Sequence, residues 1–417
     1  MPTGALMRPK PLASPTLGIY VSVPFCRAKC SYCNFASGVF GSERMAAYVD
    51  KLTSEIREVP ERVAAWGGQL PGNVDSLYFG GGTPSLLSAS QLEAILEALT
   101  KVFSFDAAAE ITLECAPGQL KDEMLHAMQG LRFNRVSLGV QSFVDHEAAA
   151  VGRLHTRAIA LKEIERLRRA GIDDINVDLI AGLPHQTRES WNVSLAEAIA
   201  TGVPHLSVYM LDVDEDSRLG REMLAGGTRY GVGMVPNETA IADMYSEACE
   251  QFAAAWVAQY EISNFARVGH ESRHNLKYWT RRPYLGFGLD AHSFLPRADG
   301  EAIRVGTTDD LAAYLGFDAG SRERETVTHV SAVQALEEAW FLGLRLNDGV
   351  SLAAIENEFG ESATRAFQPI LKEAQQQGVI EYDEHRARLT HQGRLFANDV
   401  FQRFLGVVRE EGVVAIA

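Results

Sequence analysis

The chain has 417 residues and a formal net charge of −15 at neutral pH. Hydrophobic residues make up 46% of it and charged residues 22%, which is typical of a globular protein with one large domain and a smaller one. The acidic balance argues against a nucleic-acid partner held through its phosphates. We find no signal segment and no apolar run near the roughly 18 residues of a membrane span, so we expect a cytoplasmic protein that is not an integral membrane protein.

The first part of the chain shows strands alternating with helices. Residues 1–17 contain four prolines and are predicted to be a flexible lead-in. A capping box of Ser90 and Glu93 predicts the start of one helix, while Thr156 and Gly171 bound a later one. Short apolar, β-branched runs predict six strands, at residues 19–23, 76–79, 111–114, 135–139, 175–180 and 206–210.

This alternation predicts an α/β fold with a parallel sheet. Six units indicate a partial (β/α)6 barrel over residues 18–217, with an eight-stranded barrel as the alternative. Residues 218–326 are less regular and form an elaboration of the barrel. Residues 327–417 contain helical patterns followed by two short strands and a last helix, which predicts a C-terminal winged-helix-like α+β module. Such modules often bind DNA, but the acidic chain favours packing or protein docking.

Three of the five cysteines lie close together, at Cys26, Cys30 and Cys33. Three thiolates on a short loop can hold three irons of a 4Fe–4S cluster and leave the fourth iron open to a ligand. A zinc site would need a distant fourth ligand, since no other His or Cys lies within ten residues on either side, and a structural role is the third reading. The spacing Cys-x3-Cys-x2-Cys, with Tyr32 before the last cysteine, resembles the signature of radical S-adenosylmethionine enzymes.

Other polar residues follow later strands, at the end of the sheet where active sites of barrel-like folds form. A glycine run at residues 80–82 lets the backbone approach a ligand closely, and its carbonyls can accept from the methionine ammonium. Glu114 and Asp178 suit the hydroxyls of a ribose, and Arg153 offers a planar fork to a carboxylate. Taken singly, each has a plainer reading as a tight turn, a helix cap or a surface charge.

The ordered series of motifs resembles one branch of the radical S-adenosylmethionine superfamily. That branch contains the oxygen-independent coproporphyrinogen III dehydrogenases (HemN) and the haem chaperones of the HemW family, and the resemblance covers residues 18–400. It implies that the three cysteines bind the cluster. It also implies a set of contacts to S-adenosylmethionine, made by Tyr20, Gly81, Gly82, Thr83, Glu114, Gln141, Arg153 and Asp178.

Departures from the dehydrogenases favour the HemW family. Asn34 stands where the dehydrogenases carry a fourth cysteine, and 25 residues precede Cys26, where they have a long segment. Residues 274–279, His-Asn-Leu-Lys-Tyr-Trp, match a motif linked in the HemW family to haem binding. Ser272 replaces a cysteine of many relatives, which removes a thiolate ligand from this place.

The side chains of this motif also suit haem binding by their chemistry alone. The imidazole of His274 is a good axial ligand for haem iron, and Tyr278 and Trp279 supply flat surfaces for a porphyrin. The alternative is a core histidine in an aromatic cluster, with His155 and His292 as fallback iron ligands.

The resemblance implies a haem chaperone that carries a 4Fe–4S cluster and S-adenosylmethionine and delivers haem to acceptor haemoproteins, with delivery at the membrane as one option. Cleavage of the cofactor to a 5′-deoxyadenosyl radical is chemically open to such a site. The alternatives are a coproporphyrinogen III dehydrogenase, a methyltransferase or haem-degrading enzyme of the same branch, and a non-catalytic interaction protein.

Overall fold

A computed structural model describes residues 16–316 and 325–408, so the predicted lead-in lies outside the described residues apart from its last two. In these ranges the strands, in chain order, are β1 Leu17–Val23, β2 Asn73–Gly81, β3 Ser104–Cys115, β4 Arg135–Gln141, β5 Asp174–Ala181, β6 His205–Met210, β7 Ala258–Glu261, β8 Asn264–Ala266, β9 Tyr284–Phe287, β10 His292–Pro296, β11 Ala302–Thr307, β12 Glu325–Val330, β13 Val350–Ser351, β14 Ile380–Tyr382 and β15 Arg386–Leu389.

Two short 3-10 helices, Pro84–Leu86 and Arg229–Met234, accompany the α-helices. None of the described helices is both long and apolar enough to cross a bilayer. The α-helices are α1 Ser42–Trp66, α2 Ala89–Val102, α3 Asp122–Gly130, α4 Asp145–Ala150, α5 Arg157–Arg169, α6 Arg188–Thr201, α7 Arg218–Leu224, α8 Glu238–Ala254, α9 Arg273–Trp279, α10 Leu311–Leu315, α11 Ala332–Gly343, α12 Leu352–Phe359, α13 Glu361–Gln376, α14 His391–Leu395 and α15 Ala397–Gln402.

Strands β1 to β6 lie side by side in chain order, and each pair is parallel. Helices α1 to α6 lie in the connections between them. Strand β9 adds in parallel beside β1, and antiparallel strands extend both edges, with β10, β11 and β12 on one side and β8 and β7 on the other. The described sheet is open, so the predicted partial (β/α)6 barrel is confirmed and its eight-stranded alternative is wrong.

The six parallel strands alternate between apolar and polar residues. Apolar side chains such as Val21, Leu113 and Leu138 belong to one buried cluster that also contains residues of the surrounding helices. Successive strand residues point to opposite faces, so the other face, the inner face of the partial barrel, is polar. The polar residues on it include Tyr20, Ser22, Ser76, Tyr78, Thr112, Glu114, Ser137, Asn176, Asp178, Ser207 and Tyr209.

One predicted helix start is wrong by two residues. Helix α2 is capped by Ser88 and Gln91, not by Ser90 and Glu93: the Gln91 N–H donates to the Ser88 hydroxyl, and the Ser88 N–H donates to the Gln91 side chain. This register also puts the buried Leu87 and Leu92 at the two positions of a hydrophobic staple, which explains why it is preferred.

The predicted bounds of α5 are confirmed. The Thr156 hydroxyl accepts from the Ile159 N–H at its start, and Gly171 follows its C-cap with a φ of +82°.

The C-terminal part has its own buried core. Trp340 of α11 packs against Phe367 of α13 and against Phe404, with ring centroids 5.2 and 5.6 Å away. The predicted helices and hairpin are present, and β13, β15 and β14 form a three-stranded sheet. Phe294 and Ile262 of the barrel side belong to the same cluster, so this module is packed onto the sheet.

Candidate cofactor-binding site

A cavity of about 450 Å³ opens at the carboxyl ends of the parallel strands. It gathers residues from the loops after β1, β2, β3, β4 and β6 and from β5 itself, which are far apart in sequence. Of the residues predicted to contact the cluster or S-adenosylmethionine, Tyr20 lines a neighbouring cavity. The others all line this one: Cys26, Cys30, Cys33, Gly81, Gly82, Thr83, Glu114, Gln141, Arg153 and Asp178.

The loop after β1 carries the three cysteines. Two backbone hydrogen bonds close it, from Cys26 N to Gly38 O at 2.9 Å and from Gly38 N to Pro24 O at 2.9 Å. Asn34, at the position of the dehydrogenases' fourth cysteine, donates to the Asp214 carboxylate at 2.7 Å and ties the loop to the segment after β6.

A fourth cysteine, Cys115, also lines the cavity, but burial raises its pKa to about 12.

The glycine run supports the cysteine loop directly. Gly82 N donates to Val23 O at 3.0 Å, and Thr83 N donates to Phe25 O at 2.8 Å. A Cβ atom at position 82 would lie 2.7 Å from Val23 O and 2.8 Å from Phe25 O. Position 82 therefore needs glycine because two backbones pass too close for a side chain. The Thr83 hydroxyl lies 3.8 Å from the Cys26 sulfur.

Two carboxyl groups, Glu114 and Asp178, face the cavity. Glu114 accepts from the Tyr78 hydroxyl at 2.9 Å, and Asp178 accepts from Ser137 at 3.0 Å and from Asn176 at 2.7 Å. Burial, and then the charge of Asp178, raises the pKa of Glu114 to about 7. Burial also raises the pKa of Asp178. This pair suits neutral hydroxyl donors such as those of a ribose, whose hydrogen bonds replace lost water.

Arg153 and Gln141 meet on another wall of the cavity. Arg153 donates to the Gly139 carbonyl and its Nη1 lies 3.6 Å from the Cys30 sulfur. Gln141, the last residue of β4, has a φ of +69°, which is uncommon for a residue other than glycine. In the described part of the chain the buried Nε of Arg153 has no acceptor. A buried guanidinium N–H without a partner fits a ligand carboxylate.

The tyrosines on the inner face form a stacked group that was not fully predicted. The rings of Tyr20, Tyr78 and His274 form a triangle, with centroids 6.1 Å apart for Tyr20 and Tyr78, 5.4 Å for Tyr78 and His274, and 6.3 Å for Tyr20 and His274. Sequence reasoning missed Tyr78, Ser137 and Asn176, although each lies two residues before or after another inner-face residue of its strand. That two-residue spacing is the signal that identifies them.

The haem-linked motif forms α9, which packs against the inner face. Ser272 caps this helix by accepting from the Asn275 N–H at 3.3 Å, a role in which a thiol would be weaker. His274 is 1% exposed. Its ring nitrogens lie 3.1 Å from the Ser76 hydroxyl and 2.9 Å from the Tyr278 hydroxyl.

His274 and its neighbours Tyr278 and Trp279 lie in different surroundings. Burial, with a smaller effect of Lys277, lowers the pKa of His274 to about 3, so the ring is neutral. Tyr278 lines the same neighbouring cavity as Tyr20. Trp279 faces the C-terminal module, where the Arg345 guanidinium lies 4.2 Å from its ring centroid. The structure therefore brings Tyr278, but not Trp279, to the cavities.

Comparison with known proteins agrees with this geometry. The model of the radical SAM superfamily matches residues 20–198, and that of the HemN C-terminal domain matches residues 330–396. The chain is 33% identical to the Heme chaperone HemW of Bacillus subtilis (strain 168), over 93% of this chain and 98% of the relative. It is 32% identical to the Heme chaperone HemW of Lactococcus lactis subsp. lactis (strain IL1403), over 93% and 96%.

A solved structure shares the fold. Coproporphyrinogen III oxidase (HemN) from Escherichia coli superposes with a TM-score of 0.78 at 22% identity, over 95% of this chain and 91% of that one. The fold and the cavity thus define a radical S-adenosylmethionine protein, a class that implies a 4Fe–4S cluster and S-adenosylmethionine. Within that class, the chain belongs to the HemW family.

Proposed function

We propose that this protein is a haem chaperone, which binds haem and passes it to acceptor haemoproteins. The observation that carries this proposal is the sequence similarity to two proteins named heme chaperones. The chain is 33% and 32% identical to them along 93% of its length, including the C-terminal module. The neighbouring cavity, whose walls are largely aromatic, suits a flat and mostly apolar cargo.

Within this proposal, the first cavity holds the resident cofactors. Cys26, Cys30 and Cys33 would hold the cluster through three of its irons, and S-adenosylmethionine would bind beside it. Arg153 pairs with the ligand carboxylate, while Glu114 and Asp178 accept from the ribose hydroxyls. When bound, the cluster can supply one electron to its ligand. The glycine run at residues 80–82 keeps the loop and the ligand in close contact.

Three further residues complete the proposed cofactor site. Thr83 orients the Cys26 sulfur, as its 3.8 Å contact supports. Gln141 covers the ligand beside Arg153. Tyr20 closes the wall next to Gly81, since a Cβ atom on Gly81 would lie 3.4 Å from the Tyr20 hydroxyl.

The test is a haem titration of the whole protein after anaerobic reconstitution of the cluster. We expect added ferric haem to give a saturable Soret change, and the loaded protein to transfer haem to the haem-free form of a haemoprotein. A pure, reconstituted protein that produces no Soret change would overturn the chaperone proposal. Formation of protoporphyrinogen from coproporphyrinogen III would instead establish the dehydrogenase alternative.

A further inference from the structure

A second cavity, of about 380 Å³, lies beside the first. The two share Phe35, Gly81 and Glu114 in their walls. Its other walls are largely aromatic or aliphatic, with Tyr278 and Tyr284 in contact at 4.6 Å between ring centroids. A cavity of this size and character is typical of sites for flat organic ligands.

One histidine, His292, lines this second cavity. It is the first residue of β10, and its side chain is 60% exposed. In residues 16–316 and 325–408 its ring makes no hydrogen bond, and its Nε2 lies 3.9 Å from the Asp290 carboxylate. Its imidazole can therefore bind a metal ion without breaking a hydrogen bond.

The backbone of His292 is held firmly while its ring stays accessible. A Cβ atom on Gly286 would lie 2.3 Å from His292 O, so the neighbouring strand touches its backbone. Across the ladder its partner is Gly306, where a Cβ atom would lie 3.1 Å from the imidazole Nδ1. Two glycines thus fix the strand and leave room for the ring.

The other histidines considered as ligands differ from His292. The ring of His274 is fully buried and bonded at both nitrogens. The ring of His155 is buried too, with its Nε2 3.2 Å from Val140 O. Either would need the interior of the barrel to open before it met an iron atom.

Two cations lie near the second cavity, although neither lines it. Arg304 contacts the Tyr284 hydroxyl and pairs with Glu338 at 2.9 Å, and the Lys29 ammonium, which lines the first cavity, donates to the Phe35 carbonyl at 2.9 Å. Haem carries two propionate groups, and partly exposed cations at a pocket rim are suitable partners for carboxylates.

We propose that the second cavity receives one edge of haem, with His292 as the axial ligand of its iron. This inference rests on the proposed function and names the site of its cargo. The imidazole would donate a nitrogen lone pair to the iron, with the Asp290 carboxylate 3.9 Å from Nε2 as a neighbouring charge. Tyr278, Tyr284 and Leu289 cover the porphyrin face.

The experiment compares haem titrations of the reconstituted whole protein and its His292→Ala, His292→Tyr and His385→Ala variants. His385 is the matched control, because it is 81% exposed and belongs to the C-terminal hairpin. We expect His292→Ala to lose the histidine-ligated Soret band and to weaken haem binding at least about 10-fold. We expect His292→Tyr to regain binding with a phenolate-type spectrum, which a merely structural role would not produce.

The outcomes separate this inference from the proposed function. If the parent protein gives no Soret change, the chaperone proposal itself fails. If the parent binds haem and His292→Ala binds it with the same band and affinity, only the present inference is overturned. A folded His274→Gln variant that loses the band while His292→Ala keeps it would also overturn the inference, in favour of the ligand predicted from sequence.

Discussion

Glu114 is a residue whose charge depends on the geometry of the site. Its carboxyl group lines both cavities, accepts from Tyr78 and lies near Asp178. Burial raises its pKa to about 7 from 4.5, so near neutral pH it is a mixture of acid and carboxylate. A ligand with hydroxyl donors favours the carboxylate, so we expect ligand binding to lower this pKa and release protons.

The raised pKa of Glu114 predicts the direction in which stability changes with pH. A group whose pKa is higher in the folded protein contributes stability that is full below pH 4.5 and is lost as the pH rises through 7. We therefore expect the unfolding free energy of Glu114→Gln, relative to the parent, to increase by up to about 3 kcal/mol between these pH values. Urea unfolding of the cluster-free proteins at pH 4.5, 6 and 8 measures this, and a pH-independent difference would contradict it.

At the scale of elements, the glycine run contacts the cysteine loop and so fixes the shape of the proposed cluster site. A Cβ at position 82 would collide with backbone oxygens of residues 23 and 25. We expect Gly82→Ala to displace the loop and to lower the iron bound per chain after anaerobic reconstitution by at least about half. The matched control is Gly72→Ala, since nothing lies within 4 Å of a Cβ there. Equal iron contents in both variants would refute the idea.

Strands β1 to β6 and both ends of α5 could be predicted because their signals are local. β-branched runs marked those six strands, and Thr156 and Gly171 bounded α5 as expected, whereas β7 to β11 lie in the segment without a regular pattern. The start of α2 could not be fixed, since Ser88 and Ser90 each have a partner three residues on and the choice depends on burial of Leu87.

The environment of the haem-linked motif needed long-range information. His274 bonds to Ser76 across 198 positions, and Glu110 accepts from the His274 N–H across 164. Nothing in the sequence around residue 274 shows that these partners bury its ring. In contrast, the gathering of the proposed cofactor residues in one cavity could be predicted, because most of them lie at or after a strand end and parallel strands all end at one edge.

At the scale of the whole molecule, stability depends on two buried clusters joined at the sheet. Trp340 is fully buried in the C-terminal cluster, whereas Trp256 is 87% exposed. We expect Trp340→Ala to lower the free energy of unfolding by about 3–5 kcal/mol. Trp256→Ala should change it by less than about 0.5 kcal/mol. Urea unfolding followed by circular dichroism tests the pair, and similar losses in both variants would contradict the two-cluster description.

The wall that the two cavities share has a thermodynamic consequence. A ligand in either cavity that moves Phe35, Gly81 or Glu114 alters the other cavity as well. If S-adenosylmethionine changes the dissociation constant of haem by some factor, haem must change that of S-adenosylmethionine by the same factor. Titrating each ligand in the presence of the other yields this factor twice. The share of haem kept by this chain would then follow the supply of activated methionine in the cell, not the amount of haem alone.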